Sequence, residues 1–208
     1  LQGRVDKHQL SLHASGAPLA FHSVLEGGIR QATAATPLQW DGHIQTLAFT
    51  HNALGTSSNK ASSDFSGQTS VKLTAPAPLH ADSQRIQLGK TMLQLTQGSA
   101  IIDSLVLTQN TLTSQGQLTE ISLADLPSGL VTWPTTLKGN PTFSGKWDIQ
   151  ASDTLNATLQ LQHVSGDLRY PNKDGTLTPL GLSDASATLT VRQNQAQLLA
   201  KLAGRHIG

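Results

Sequence analysis

The chain has 208 residues, 37% of them hydrophobic and only 13% charged, with a net charge of +1 and no cysteine. Soluble domains average about 25% charged residues; here Ser, Thr, Gln and Asn supply the polar surface, which is not the high-net-charge composition of a disordered chain. The near-zero charge provides no field to attract a nucleic-acid backbone, and the missing cysteines exclude disulfides, thiolate chemistry and cysteine metal sites.

In chain order, Leu10-Ser11-Leu12, Leu19 to Leu25 and His43 to Phe49 read as strands. Asp41-Gly42 reads as a tight turn between Trp40 and Ile44. Gly55 to Asp64 is small and polar, and a flexible loop is expected there. Val71 to Leu73, Arg85 to Leu88 and Met92 to Thr96 are further strands.

A hairpin is expected from Ile101 to Leu118. Ile101, Leu105 and Leu107 lead in, Thr108 to Thr111 turns, and Leu112, Ser114, Gly116 and Leu118 lead out. Leu123, Leu126, Leu130 and Trp133 then follow a helical spacing, with Ser122 and Asp125 as a cap and Pro134 as a stop. One short helix is therefore expected near 122–133.

Strict alternation returns at Phe143, Gly145, Trp147, Ile149 and Ala151, with Ser144, Lys146, Asp148 and Gln150 between. A period of two residues marks a half-buried strand. It recurs at Leu155, Ala157, Leu159 and Leu161. The phase then slips at Val164-Ser165-Gly166, as a β-bulge would cause, before Leu168. Tyr170 to Gly175 is a turn by composition. A last hairpin pairs Ala185, Ala187, Leu189 and Val191 with Ala196, Leu198, Ala200 and Leu202 across Arg192 to Gln195.

The fold class is thus all-β, and one helix is too little to cover so many one-sided strands. A sandwich, a closed barrel or a sheet curled into a trough would each solve the problem. Aromatics make up only 4% of the chain. Short aliphatic side chains suit an open channel better than a compact sandwich centre. By residue pattern alone the closed core is the commoner outcome.

No catalytic pattern appears. Gly89-Lys90-Thr91 resembles the end of a phosphate-binding loop, but position 84 is Gln84 rather than Gly. There is no Gly-x-Ser-x-Gly and no His-Glu-x-x-His. The pairs His8/His13 and His43/His51 lack tight ligand spacing, and Asp148 and Asp153 fit a solvated face. Asn156-Ala157-Thr158 is a sequon set inside a strand. The expectation is a non-enzyme with no metal and no cofactor.

No apolar run reaches the roughly 18–20 residues that cross a bilayer, and no signal peptide opens the chain. The chain begins at Leu1 rather than Met and stops at Gly208 soon after a strand-like run. Residues 1–208 are expected to be one continuous β segment of a longer protein.

Several stretches resemble the periplasmic part of the TamB family, the translocation and assembly module subunit related to AsmA-like and bridge-like lipid-transfer proteins. They are Leu118 to Leu126, Leu137-Lys138-Gly139, Phe143 to Ile149, Gly166-Asp167-Leu168, Pro179 to Leu182, Ala187 to Val191 and Leu202 to Gly208. The likeness spans about residues 71–208. It implies a long sheet curled into an apolar-lined trough, a β-taco. It also implies an inner-membrane-anchored protein in the periplasm of a Gram-negative bacterium.

By that resemblance the partners are phospholipid acyl chains and an Omp85-type, TamA-like outer-membrane protein. The role would be phospholipid transport between inner and outer membranes, linked to outer-membrane protein assembly. The expected groove lining is Leu105, Leu107, Leu118, Phe143, Trp147 and Ile149, continuing with Leu159, Leu161, Leu168, Leu189, Val191, Leu198 and Leu202. Two other functions remain open: a scaffold that pairs an edge strand with outer-membrane proteins, and an adhesin or carbohydrate-binding β-domain.

Overall fold

The computed structural model describes residues 2–16, 19–30, 38–51, 69–122, 138–172 and 174–206. Among them there are strands and connections and no helix. In chain order the first strands are β1 (Gln2–Arg4), β2 (Lys7–Gly16), β3 (Leu19–Arg30) and β4 (Gln39–His51). Shorter strands follow: β5 (Thr69–Leu73), β6 (Ala77–Asp82), β7 (Arg85–Leu88) and β8 (Thr91–Leu95). Next come β9 (Ser99–Thr108), β10 (Leu112–Ser122), β11 (Lys138–Gly139), β12 (Thr142–Ala151) and β13 (Leu155–Ser165). The last are β14 (Leu168–Pro171), β15 (Leu177–Pro179), β16 (Leu182–Arg192) and β17 (Gln195–Gly204).

One 14-stranded antiparallel sheet contains all of these except β11, β14 and β15, which form a separate three-stranded sheet. The main sheet is a meander. β5 runs along one half of β4 and β6 along the other. β8 and β7 divide β9 in the same way. Each short pair is therefore one strand with a break, at 74–76 and at 89–90. Backbone bonds bridge the breaks: Thr74 N–H reaches Met92 O (3.0 Å) and Gly89 N–H reaches Pro78 O (2.9 Å).

These breaks belong to a line of irregularity crossing four neighbouring strands. In β4, Gln45 is an extra residue between the pairs Val24–Thr46 and Leu25–Ile44. In β9, Asp103 is extra between Ser104–Gln115 and Ile102–Gly116. Such insertions bend a strand and increase its twist. Their phase correction keeps one set of side chains on one face from end to end.

The alternation of the second half is reproduced, including both hairpins. Thr108 N–H bonds to Thr111 O (2.8 Å) at one turn. At the other, Gln193 and Asn194 take positive φ (48° and 66°), the twist-matched geometry of a two-residue hairpin. The slip expected near Val164 is present: Thr142 faces Ser165 while Phe143 faces His163, leaving Val164 extra.

Several expectations are corrected. Asp41-Gly42 is not a turn but lies within β4, where Gly42 faces Gly27 and Asp41 faces Gly28. Ile101, in simple phase with Leu105, is turned to the opposite face by the Asp103 bulge and faces Gln117. Tyr170 and Pro171 finish β14, so the turn begins only at Asn172, whose carbonyl accepts from Gly175 N–H (3.0 Å). Ser122, expected as a helix cap, is the last residue of β10. The positive φ of Glu120 (51°) makes a bulge that keeps Ile121 and Ser122 paired with Phe143 and Thr142. The rest of the expected helix, 123–133, and the expected loop, 55–64, lie outside the described residues.

Little is fully buried. Among the described residues, the buried aliphatic and aromatic side chains are Ala77, Ala100, Ile121, Phe143 and Ala185. Ile121, Ser122, Thr142 and Phe143 cluster at one end of the sheet, where β10 meets β12. Beside that end, the Asp167 carboxylate accepts N–H bonds from Leu168 (2.9 Å), Gly181 (2.9 Å) and Leu182 (3.1 Å). It ties the start of β14 to the start of β16.

Candidate functional site

Residues directly opposite in neighbouring strands share a face, so the pairing register defines long rows of side chains. One row runs Leu93, Ala100, Leu118, Gly145, Leu161, Ala187, Ala200. The next runs Thr91, Ile102, Gly116, Trp147, Leu159, Leu189, Leu198. A third runs Leu88, Leu105, Ser114, Ile149, Ala157, Val191, Ala196. Large and small residues alternate along part of the first and third rows, whereas Trp147, Leu159, Leu189 and Leu198 stand side by side in the second.

These rows collect the expected lining residues on one face of the main sheet. Phe143 and Leu202 sit on the same face, opposite His163 and Ala185, and Leu107 sits opposite Leu112. Leu168 is the exception: it lies in β14 of the small sheet, opposite Gly139. It does not join the face.

The same face continues through the first half of the chain, where the sequence reading assigned no lining. Phe21, Phe49, Val71 and Leu95 form one row, and Leu25, Ile44 and Ala77 part of another. Trp40 faces Ile29 and Ala81. The apolar face thus extends over β2 to β17.

No Asp, Glu, Lys or Arg occupies these paired apolar-face positions of the described strands. Three hydroxyl residues there, Ser23, Thr91 and Ser114, are buried. Trp147 donates its indole N–H to Ser114 Oγ (3.0 Å), and Thr91 donates to Gly89 O (2.9 Å). Trp40 donates to His8 Nε2 (3.0 Å), and the other ring nitrogen of His8 bonds Val5 O (3.2 Å). His8 is therefore drawn as the tautomer with its proton on Nδ1. His163 bonds Gly166 O (2.8 Å) and meets Phe143 edge-on at 5.8 Å. These polar atoms are engaged within the protein, by one another or by backbone carbonyls.

Much of this face is only partly covered. Leu105, Leu118, Trp147, Ile149, Leu159, Leu161, Leu189 and Val191 are only half-buried. Leu107, Leu198 and Leu202 are exposed, at 43%, 67% and 52%. Among the described residues the sheet does not close on itself: β1 pairs only with β2, and β17 only with β16.

The opposite face is polar. Shallow open depressions cross it between β10 and β16, lined by residues such as Gln117, Lys146, Asp148, Gln160 and Thr188. The polar face also carries a histidine between two aspartates. His80 Nδ1 is 2.6 Å from Asp41 Oδ1, and Nε2 is 3.5 Å from Asp82 Oδ2. The Asp41 hydrogen bond, aided by both negative charges, outweighs desolvation and raises the His80 pKa above its ordinary 6.5. No group of three or more metal-ligating side chains occurs among the described residues.

Compared with known proteins, the chain matches no family model, no curated protein and no solved structure.

Proposed function

We propose that this chain is part of a conduit that shields lipid acyl chains against the apolar face of its sheet. The carrying observation is that face itself: wide, aliphatic, half-exposed and free of charge at its paired positions. Transfer of one methylene from water to an apolar surface is worth about 0.8 kcal/mol. A chain of about sixteen methylenes therefore gains on the order of 12 kcal/mol. Aliphatic walls with few polar atoms offer few directional bonds, so a bound chain can slide.

In this reading the sheet curls into a trough with the apolar face inside. The bulges at Gln45 and Asp103 favour bending, and the resemblance to the TamB family implies the same shape. That resemblance also supports a periplasmic place in a Gram-negative envelope, transport of phospholipid between its membranes, and an Omp85-type outer-membrane partner. Native mass spectrometry of the purified chain tests the reading. Phospholipid adducts are expected; a chain that stays ligand-free after exposure to phospholipid vesicles counts against it.

A second reading is a scaffold in which an edge strand pairs with strands of outer-membrane proteins. The adhesin or sugar-binding reading has less support. Sugar sites use exposed aromatic platforms, whereas Trp40 and Trp147 lie on the apolar face with their N–H groups engaged; Trp133 lies outside the described residues.

A further inference from the structure

The apolar face is bounded differently at the two ends of its strands. At one end β6–β7, β9–β10, β12–β13 and β16–β17 join through short turns, at 83–84, 109–111, 152–154 and 193–194. The outermost apolar row there runs Ala81, Ile86, Leu107, Leu112, Ala151, Leu155, each opposite the next. Ile86 and Leu107 are 43% exposed and Leu155 is 37% exposed. At the other end the connections from β10 to β12 and from β13 to β16 carry the small sheet of β11, β14 and β15. Asp167 ties that sheet to β16, and His206 Nδ1–H donates to Pro179 O of β15 (2.9 Å). Apolar residues here are covered: Ile121, Phe143 and Ala185 are 1%, 9% and 6% exposed. From β10 to β16 the face is therefore shut at one end of the strands and open at the other.

That asymmetry orients an amphiphile. A phosphate group loses its hydration at great cost on an apolar surface that offers no partner, so the headgroup belongs at the open, turn end. The tails then lie along the strands toward Phe143. From Ala151 to Phe143, β12 runs about 27 Å at about 3.4 Å per residue; one leaflet of a bilayer holds its tails within about 15 Å. The charges at the turn end suit phosphate. Three strands begin or finish there with an exposed arginine that has no ion-pair partner among the described residues: β3 at Arg30, β7 at Arg85 and β16 at Arg192. Of the acids beside the turns, Asp6 pairs with Arg4 (3.3 Å) and Asp82 accepts from the N–H groups of Gln84 (2.7 Å) and Arg85 (2.8 Å). Asp153 remains as the unengaged carboxylate of the described turns.

We infer that phospholipids stand side by side on this face, headgroups at the turn end near Arg85 and Arg192, tails along the strands toward Phe143. Each lipid enters across the row of Ile86, Leu107 and Leu155 and moves sideways from strand to strand with its headgroup in water. This arrangement rests on the conduit reading and adds to it the side of entry and the orientation of the lipid. It depends on the turns and not on where the chain begins or stops, since further strands on either side would only lengthen the same open row.

Two phosphatidylglycerol probes test it, one with a diazirine on the headgroup and one with a diazirine at the end of a tail. Each is offered to the full chain in phosphatidylglycerol vesicles, bound lipid is counted by native mass spectrometry, and cross-linked residues are mapped after irradiation. The headgroup probe should label 83–85, 109–111, 152–154 and 192–194; the tail probe should label Leu118, Phe143 and Leu161. Arg85→Gln combined with Arg192→Gln should reduce phosphatidylglycerol capture about fivefold, the size expected of two exposed charge contacts. Capture of diacylglycerol, which has no phosphate, should not change. Lipid captured with the two labelling patterns exchanged or spread over both ends of the strands would overturn the arrangement and leave the conduit reading standing. So would a double variant that does not lose phosphatidylglycerol selectively. Absence of any lipid adduct would overturn both.

Discussion

Trp147 bonds Ser114 through its indole N–H (3.0 Å) while its ring lies where a side chain on Gly116 would project. Ser114 and Gly116 are both on β10, so one large residue of β12 covers two small ones on the next strand. The Trp40 ring likewise lies over Gly27 on β3 and Gly42 on its own strand, β4. A flat ring over glycine fills the pleat and buries a polar pair, leaving a level apolar surface.

Gly116→Ala tests that arrangement. A methyl group there would strike the Trp147 ring and the Ile101 carbonyl. Overpacking of this kind costs roughly 1–3 kcal/mol. Urea denaturation should show a loss in that range, and Trp147 emission should shift to the red as the ring lifts toward solvent.

Acid should weaken the tie between β14 and β16. Desolvation by itself would raise the Asp167 pKa, but the N–H groups of Leu182, Gly181 and Leu168, with the charge of Arg169, hold it below the ordinary 3.8. The stability it contributes is present above pH 3.8 and is lost as the pH falls through the lower folded-state value. Asp167→Asn should be less stable than wild type at neutral pH. The difference between the two urea midpoints should narrow below pH 3.8.

His80 carries the opposite sign. Its pKa is raised, chiefly by Asp41, so its contribution is full below pH 6.5 and disappears as the pH rises through the higher folded-state value. The wild type should therefore lose stability relative to His80→Gln as the pH is raised above 6.5. Urea midpoints measured at successive pH values would show it, and an NMR titration of His80 should give a midpoint above 6.5.

The second half of the sheet was legible because long apolar side chains alternate there with little interruption; β7 coincides with the expected Arg85 to Leu88. In the first half the strands around 10–12, 19–25, 43–49, 71–73 and 92–96 were legible too, but the apolar face they share was not, because it is built partly from Gly27, Gly42 and Ser23, which do not look apolar in a sequence. Gly42 read as a turn residue when it serves close approach under a tryptophan ring. β6 was missed because Pro76 and Pro78 frame its start, and proline ordinarily argues against a central strand. The side of the sheet that Ile101 takes was not legible, because the bulge at Asp103 depends on pairing with β10. Leu168 fitted the pattern but belongs to a four-residue strand, too short to reveal which sheet it joins.

The central claim is that the apolar face receives lipid, and the most direct measurement is capture of phospholipid by face variants. Ile149→Asp and Leu161→Arg each put a charge among half-buried aliphatic residues in neighbouring strands. The account predicts that both abolish capture in native mass spectrometry while the β-sheet circular dichroism is retained. Capture equal to wild type in both variants would contradict it.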